Sequence, residues 1–292
     1  MFGTNRILGA KDFDLLCDDR LMVTSIFVTL QGEGPYSGRP AVFVRLTGCN
    51  LDCSFCDTYF DQGKIYTLNE LSSLIDATIL GYWVKNFGGD PPDWAFSIEQ
   101  DGPEHPGMIL VITGGEPTLQ PALVNFCKQE VMRWAVIQIE SNGTNLIKGL
   151  EERAVLVISP KVSEKTQKYL KPRGEVLDQA SAIKLVVSSD VNSPYNKLPE
   201  WLPDIIKGYR MSETIYISPM AVYNSEHLVK KISFIQGGKN PNEMEDIERV
   251  SIWDKGVLDL EKCRANYEYA AKLCIQYGFR LNLQTHLFAS LP

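Results

Sequence analysis

Across 292 residues there is no run of five or more basic side chains, and 29 Lys+Arg fall short of 36 Asp+Glu, a formal net charge of -7. A protein built mainly to hold nucleic acid relies on clustered cations, so that class is set aside. Long apolar runs are missing too. Stretches such as Met108–Thr113 and Ala154–Ile158 are strand-sized, far below the roughly 18 residues that span a bilayer. Residues 1–20 lack a basic head followed by an apolar segment, and Asp12, Asp14, Asp18 and Asp19 make them too acidic for an export or transit signal. The expected location is the cytoplasm, with no membrane contact and no direct hold on nucleic acid. Internal repeats and low-complexity tracts do not occur. What is present is a globular composition, 44% hydrophobic, in a chain long enough to bury roughly three-quarters of its unfolded surface without disulfides. The seven cysteines are then expected as reduced thiols, available to bind metal.

Residues 1–22 read as an irregular N-terminal extension. Val23–Leu30 alternates as a strand into the glycine-punctuated loop Gln31–Gly38, and Ala41–Leu46 is the next apolar strand. Thr67 and Glu70 form a capping box, after which Leu68, Leu71, Leu74, Ile75 and Ile79 keep helical spacing to an end near Gly81. From Tyr82 to Gly107 the chain is rich in glycine and proline yet carries Trp83, Phe87, Trp94 and Phe96, too aromatic for a disordered linker. It reads as an ordered insertion, at about 82–107, in one domain spanning 23–292. Beyond it the expected strands are Met108–Thr113, Val136–Glu140, Ala154–Ser159, Ala182–Val187, Thr214–Ser218 and Arg280–Gln284. The expected helices are Pro121–Trp134, about Asn145–Glu152, and about Asp259–Tyr277, with a polar stretch around Gly237–Glu248. Alternating βα units imply a parallel sheet covered by helices, an α/β architecture.

Three thiols fall within eight residues, at Cys49, Cys53 and Cys56, directly after a strand. Isolated cysteines usually act as small buried hydrophobes, the expectation for Cys127, Cys263 and Cys274 and the favoured one for Cys17. His105 and His227 are expected to be structural or exposed. The triplet occupies a loop bearing Gly, Asn and Asp, and such a loop can aim three thiolates at one centre. Structural zinc takes four protein ligands and a fully protein-ligated iron–sulfur cluster four cysteines, yet no fourth ligand lies nearby. Three thiolates leave a position for an exogenous ligand, and an open position implies chemistry.

The CxxxCxxC spacing, with Phe55 before the last cysteine, resembles that of the radical S-adenosylmethionine (SAM) superfamily. Separate segments narrow the resemblance: Thr29-Leu-Gln-Gly-Glu-Gly-Pro35, Ala41-Val-Phe-Val-Arg-Leu-Thr-Gly-Cys49, Cys56-Asp57-Thr58 and Leu283-Gln-Thr-His286. In this order they resemble the 7-carboxy-7-deazaguanine synthase family. For the fold the resemblance implies a partial, modified (β/α) barrel, with strand ends around the cluster, in a homodimer. For chemistry it implies contraction of 6-carboxy-5,6,7,8-tetrahydropterin to 7-carboxy-7-deazaguanine with loss of ammonia, a carbon–nitrogen lyase step of 7-deazapurine and queuosine biosynthesis. The implied cofactors are a [4Fe-4S] cluster on Cys49, Cys53 and Cys56, SAM that is recycled, and Mg²⁺ on Thr58. A flavodoxin or ferredoxin would supply electrons.

Carried over residue by residue, the resemblance assigns SAM contacts to Phe55, Cys56 and Asp57, and to Gly115 and Glu116 of the segment Thr113-Gly-Gly-Glu-Pro117. It also assigns them to Ser159, Pro160 and Lys161, and to Ser218, Pro219, Met220 and Ala221, which depart at two of four positions from the family's Gln-Pro-Met-Asp. Substrate contacts fall on Leu30, Gln31, Gly32, Arg45, Thr113, Gln284 and the carboxylate of Pro292, with Glu33 and His286 as catalytic groups. These residue types suit a pterin: Gln31 donates and accepts, Glu33 accepts from amino or ring N–H groups, and Arg45 can fork onto a carboxylate. His286 can contact substrate or shuttle a proton, and Thr58 offers a hydroxyl to a hard cation. One rival reading is a glycyl-radical-enzyme activase, which shares CxxxCxxC and GGEP but usually has an Asp-Gly-Pro-Gly-like segment where this chain has Gln31–Pro35. Another is a non-catalytic metal-stabilised interaction module, which needs a fourth protein ligand and no Gln31, Arg45 and His286 constellation.

Overall fold

The computed structural model describes residues 7–56, 58–97, 102–150, 153–208, 214–224, 251–254 and 256–291; His227 and the polar stretch around 237–248 lie outside them. Among the described residues, one mixed sheet runs in the order β3-β1-β2-β4-β5-β6-β7-β8-β9. Its strands are β1 (Arg20–Leu30), β2 (Pro40–Leu46), β3 (Lys64–Thr67), β4 (Ile109–Gly114), β5 (Ile137–Ser141), β6 (Val155–Ile158), β7 (Ala182–Val187), β8 (Ile215–Pro219) and β9 (Arg280–Leu281). The β1 strand pairs antiparallel with β2 and β3, whereas every pair from β2 onward is parallel. Continuous burial of Ile109, Leu110, Val111 and Ile112 is what a parallel strand covered on both faces requires. The open, curved α/β sheet is the expected partial barrel.

Helices α1 (Leu68–Phe87), α2 (Leu123–Glu130), α3 (Gly174–Gln179), α4 (Leu202–Gly208), α5 (Leu260–Tyr277) and α6 (Thr285–Ala289) accompany the strands. The capping box that opens α1 is present: Glu70 N–H donates to Thr67 Oγ1, and Thr67 N–H to Glu70 Oε2 at 2.8 Å. The helix does not end near Gly81. It continues to Phe87 and stops at Gly88, whose φ of 74° provides a left-handed C-cap. Gly81 faces open space, so it weakens the helix slightly without breaking it, while Trp83 anchors the next turn in the core.

Beyond α1 the chain is tied down by aromatic and ionic contacts. Trp83 meets Trp94 edge-on at 5.9 Å, and His105 stacks on Trp134 at 3.8 Å. The Arg133 guanidinium joins Asp76 of α1, Glu104 and the buried Glu130 at 2.7–3.0 Å. His105 is thus buried and structural. Glu130 also accepts from Trp134 Nε1 at 2.8 Å, which draws the chain into turns and leaves α2 shorter than the expected Pro121–Trp134. No helix forms over 145–150: Asn145 Nδ2 donates to the Thr118 carbonyl, and Thr144 Oγ1 to Asn142 Oδ1. Such side chains compete with helix formation by bonding the loop instead.

At the other end of the sheet β9 is only two residues long. Its continuation is diverted when Asn282 Oδ1 accepts from Gly34 N–H at 2.7 Å. The described part of the N-terminal extension is not wholly irregular; Ala10–Asp19 consists of 3₁₀ turns interrupted by a kink at Cys17 and packs Phe13 and Leu16 against Leu119. Cys17, favoured for burial, is exposed, whereas Cys127, Cys263 and Cys274 are buried. No helix among the described residues is long and apolar enough to cross a membrane.

Two substitutions test this packing by urea unfolding. Gly81→Ala is expected to stabilise the protein by about 0.5–1 kcal/mol, because a methyl there meets nothing. Phe13→Ala is expected to destabilise it by about 3–5 kcal/mol through loss of a side chain that is 1% exposed; unchanged stability would mean that the extension is not docked.

Candidate active site

The carboxyl ends of β2, β4, β5, β6, β7 and β8 surround a cavity of about 260 Å³, where ligands are held in α/β sheets. One wall begins where β2 ends. Leu46 lies opposite Gly114 in the parallel β2–β4 pair, and beyond that pair the two backbones nearly touch. Gly115 N–H donates to the Leu46 carbonyl at 3.1 Å and Glu116 N–H to the Gly48 carbonyl at 2.7 Å. A Cβ on Gly114, whose φ is +127°, would stand 2.1 Å from the Leu46 oxygen, and one on Gly115 1.9 Å from the Gly48 oxygen. The double glycine is therefore a steric requirement of the strand-end contact.

That contact carries the cysteine loop. Gln120 Nε2 donates to the carbonyls of Thr47 and Met22 at 3.0 and 2.9 Å, and Leu8 N–H donates to the Cys49 carbonyl at 2.8 Å. Glu116 does not line the cavity. Its buried carboxylate accepts from Thr118 N–H, Thr118 Oγ1, Ser141 Oγ and Asn142 N–H at 2.5–3.1 Å. Burial nonetheless pushes its pKa up. Glu116, expected among the SAM contacts, ties the exit of β4 to Asn142, whose Nδ2 lies 4.0 Å from Cys49 Sγ.

Cys49, Cys53 and Cys56 form no disulfide. Burial pushes the Cys49 thiol up to about 12 and the Cys53 thiol up to about 11, so binding a cationic centre would release their protons to solvent. Among the described residues, the one group of three His, Cys, Asp or Glu donors lying within 4.8 Å of one another is Asp76, Glu104 and His105. The three thiols, Cys49 buried and Cys53 and Cys56 half-buried, are an all-sulfur donor set of the kind that would hold an iron–sulfur cluster. Lys161 stands beside it, Nζ donating to the Ser159 carbonyl and Oγ at 2.6 Å; burial, then repulsion by Lys184, holds its pKa down.

The opposite wall is polar. Gln31 Nε2 donates to Glu140 Oε1 at 3.0 Å while Gln31 Oε1 accepts from Glu33 N–H at 3.0 Å. Lys184 on β7 forms ion pairs with Glu33 and, at 3.3 Å, with Glu140 of β5. Burial opposes each of these charges, yet the attraction wins: Glu140 is held below and Lys184 above its ordinary pKa. The Arg45 guanidinium lies over the Phe27 ring at 4.7 Å. A Cβ on Gly32 would approach His286 Nδ1 and Thr285 N to 3.1 Å, so α6 closes directly onto the Gln31–Glu33 loop.

The structure brings most of the expected site residues to this cavity. Cys49, Cys53, Phe55, Cys56 and Thr58 line the thiol side; Thr113, Gly115, Ser159 and Lys161 follow from β4 and β6. Ser218, Pro219, Met220 and Ala221 come from the end of β8, and Gln31, Gly32, Glu33, Arg45, Gln284 and His286 complete the lining. Leu30 and Pro160, like Glu116, are not among the lining residues. Asp57 and Pro292 lie outside the described residues. Sequence reasoning missed Glu140, Asn142 and Lys184, which also line the cavity. The available signal was a lysine inside the apolar run Ala182–Val187 and a glutamate closing Val136–Glu140, each a charge in a strand with no water-facing side.

No protein-family model matches the chain. It is similar to 7-carboxy-7-deazaguanine synthase from Rickettsia prowazekii, 31% identical over 272 residues, 93% of this chain and 89% of that one. The synthases from Rhodospirillum rubrum (32% identical, 68% of this chain and 71% of that one) and Haemophilus influenzae (26%, 73% and 82%) are also similar. Among solved structures, QueE from Escherichia coli superposes with a TM-score of 0.51 at 18% identity, covering 90% of this chain and 92% of that one. At that identity the likeness concerns the fold.

The thiol loop makes a direct prediction. Cys53→Ala is expected to abolish iron and sulfide uptake on anaerobic reconstitution, whereas Cys127→Ala, distant in α2, retains it near the parent level. Equal loss in both, read by iron content and visible absorbance, would remove the ligand assignment.

Proposed function

The chain belongs to the 7-carboxy-7-deazaguanine synthase family, and from that membership we propose that it converts 6-carboxy-5,6,7,8-tetrahydropterin to 7-carboxy-7-deazaguanine with loss of ammonia, as a radical SAM enzyme. The observation that carries this reading is one cavity with a three-thiol loop on one wall and the Gln31, Glu33 and Arg45 group on another. The activase and interaction-module readings are not favoured, since relatives spanning most of the chain are synthases.

Cys49, Cys53 and Cys56 would hold the [4Fe-4S] cluster; the Gly115 backbone, Ser159, Lys161 and Ser218–Ala221 would hold SAM, and Thr58 Mg²⁺. Family resemblance adds Asp57 to the SAM contacts and Pro292 to the substrate contacts. When bound, the cluster and SAM supply the hydrogen-atom abstraction that starts the rearrangement. The rest is the work of this chain's side chains. Arg45, steadied over Phe27, presents a planar fork to the substrate carboxylate. Gln31 and Glu33 present an acceptor-rich edge to the amino and ring N–H groups of the pyrimidine. His286, packed on Gly32, lines the cavity and is placed to move a proton at that edge. A flavodoxin or ferredoxin as electron donor and a homodimeric assembly complete the proposal.

Anaerobic incubation of the reconstituted protein with SAM, reductant, Mg²⁺ and 6-carboxytetrahydropterin tests it. Expected by mass spectrometry is 7-carboxy-7-deazaguanine with SAM preserved; substrate-independent SAM cleavage without that product would overturn the substrate assignment. Arg45→Ala is expected to lower kcat/KM for the pterin by about a hundredfold, since removing one member of a buried charge pair costs at least ~2 kcal/mol. Uncoupled SAM cleavage should change far less. A larger fall in SAM cleavage would move Arg45 to the cofactor half of the cavity.

A further inference from the structure

Two carboxylates from different elements, Glu33 in the loop after β1 and Glu140 at the end of β5, meet one ammonium, Lys184 of β7, at the cavity wall. All three side chains are nearly buried, at 10–13% exposure. Two carboxylates so close and so dry cannot both stay ionised without a cation, because burial and mutual repulsion each favour protonation. A protonated carboxyl donates where an ionised one accepts.

That distinction governs Gln31. Its Nε2 donates to Glu140 Oε1, and its Oε1 accepts from Glu33 N–H. Gln138 Nε2 donates to the same Glu140 oxygen at 3.2 Å. Glu140 therefore has to be an acceptor for the Gln31 amide to hold this orientation. We propose that Lys184 is the positioning residue of the substrate pocket: it keeps Glu33 and Glu140 ionised together and so sets Gln31 and Glu33 as a preformed acceptor edge for a 2-amino-4-oxopyrimidine ring. The inference rests on the pterin-converting reading, adding to it a residue and a specificity rule.

The charged groups nearest Lys184 are Glu33, Glu140 and, by repulsion, Lys161; Arg45 and His286 line the same cavity. With Lys184 present, its attraction holds Glu140 below its ordinary pKa despite burial. Without it, the pair takes up a proton as pH falls, the acceptor edge becomes part donor, and a ring carrying amino and N–H donors loses its match.

The test measures binding of 6-carboxypterin, the oxidised fluorescent analogue, to the anaerobically reconstituted protein with SAM at pH values from about 6 to 8. Lys184→Met is expected to raise the parent Kd roughly tenfold at pH 7 and to make it climb further toward pH 6, while the parent stays nearly flat. Lys184→Arg should restore most of the affinity and the flat profile, which a merely space-filling role would not explain. If Lys184→Met fails to fold, the triple variant E33Q/E140Q/K184M leaves no charge unpaired. Compared with E33Q/E140Q, it should show no further loss in affinity. A Lys184→Met protein that binds with the parent Kd and a flat profile, or a further tenfold loss in the triple variant, would overturn the positioning role. Failure of the parent itself to bind 6-carboxypterin would instead strike at the substrate reading.

Discussion

The backbone contact between the end of β2 and the end of β4 is the constraint on which the site depends. Two parallel strands normally diverge into separate loops at their carboxyl ends. Here Gly114 and Gly115 let the β4 exit run directly against Leu46 and Gly48, and the three-thiol loop begins on the next residue. Each hydrogen bond in the contact contributes only about 1 kcal/mol, yet together they fix where the thiols stand relative to every other strand end. Gln120 and Glu116 brace the same junction from below, and Leu8 braces it from the N-terminal extension. Rigidity at this point is what a site needs when a reactive centre must meet a second ligand in a set orientation.

Charge is distributed around the cavity in a way that matches its two walls. Lys161 stands by the thiols, Lys184 between two carboxylates, and Arg45 over an aromatic ring. The three cations face different neighbours and so do different things. Lys161 lies where thiolates would accumulate negative charge, Lys184 balances Glu33 and Glu140, and Arg45 holds its guanidinium over the Phe27 ring at the cavity wall. Since Lys184, Glu33 and Glu140 are nearly buried, their pairing is stronger than it would be on the surface.

Much of this was legible in the sequence wherever a single local rule decides the outcome. The capping box at Thr67 and Glu70 and the parallel strands with their unbroken apolar runs follow from period and residue type, and the set of candidate residues at strand ends follows from the family resemblance. Misreadings came where long-range contacts override local signals. Gly81 resembled a stop but lies on an open face of a helix whose next turn is anchored by Trp83. The residues around 145 resembled a helix, but Thr144 and Asn145 spend their side chains on the loop. The N-terminal extension looked irregular because Phe13 and Leu16 within it pack against Leu119 from far along the chain.

The sequence by itself determined the chemistry that the chain can attempt: three thiols in a loop after a strand, a double glycine after another, and Gln31, Glu33, Arg45 and His286 in fixed order. It also determined the class of sheet, because apolar periodicity is a local property. Only the tertiary structure decided which groups share a cavity and in what ionisation state. Glu116, placed by motif at the cofactor, is withdrawn into a nest of donors. Lys184 and Glu140, each a lone charge in an apolar run, become partners because β5 and β7 aim their side chains at the same space as the loop after β1. Ion pairing and desolvation act over a few ångströms in space, whatever the separation along the chain.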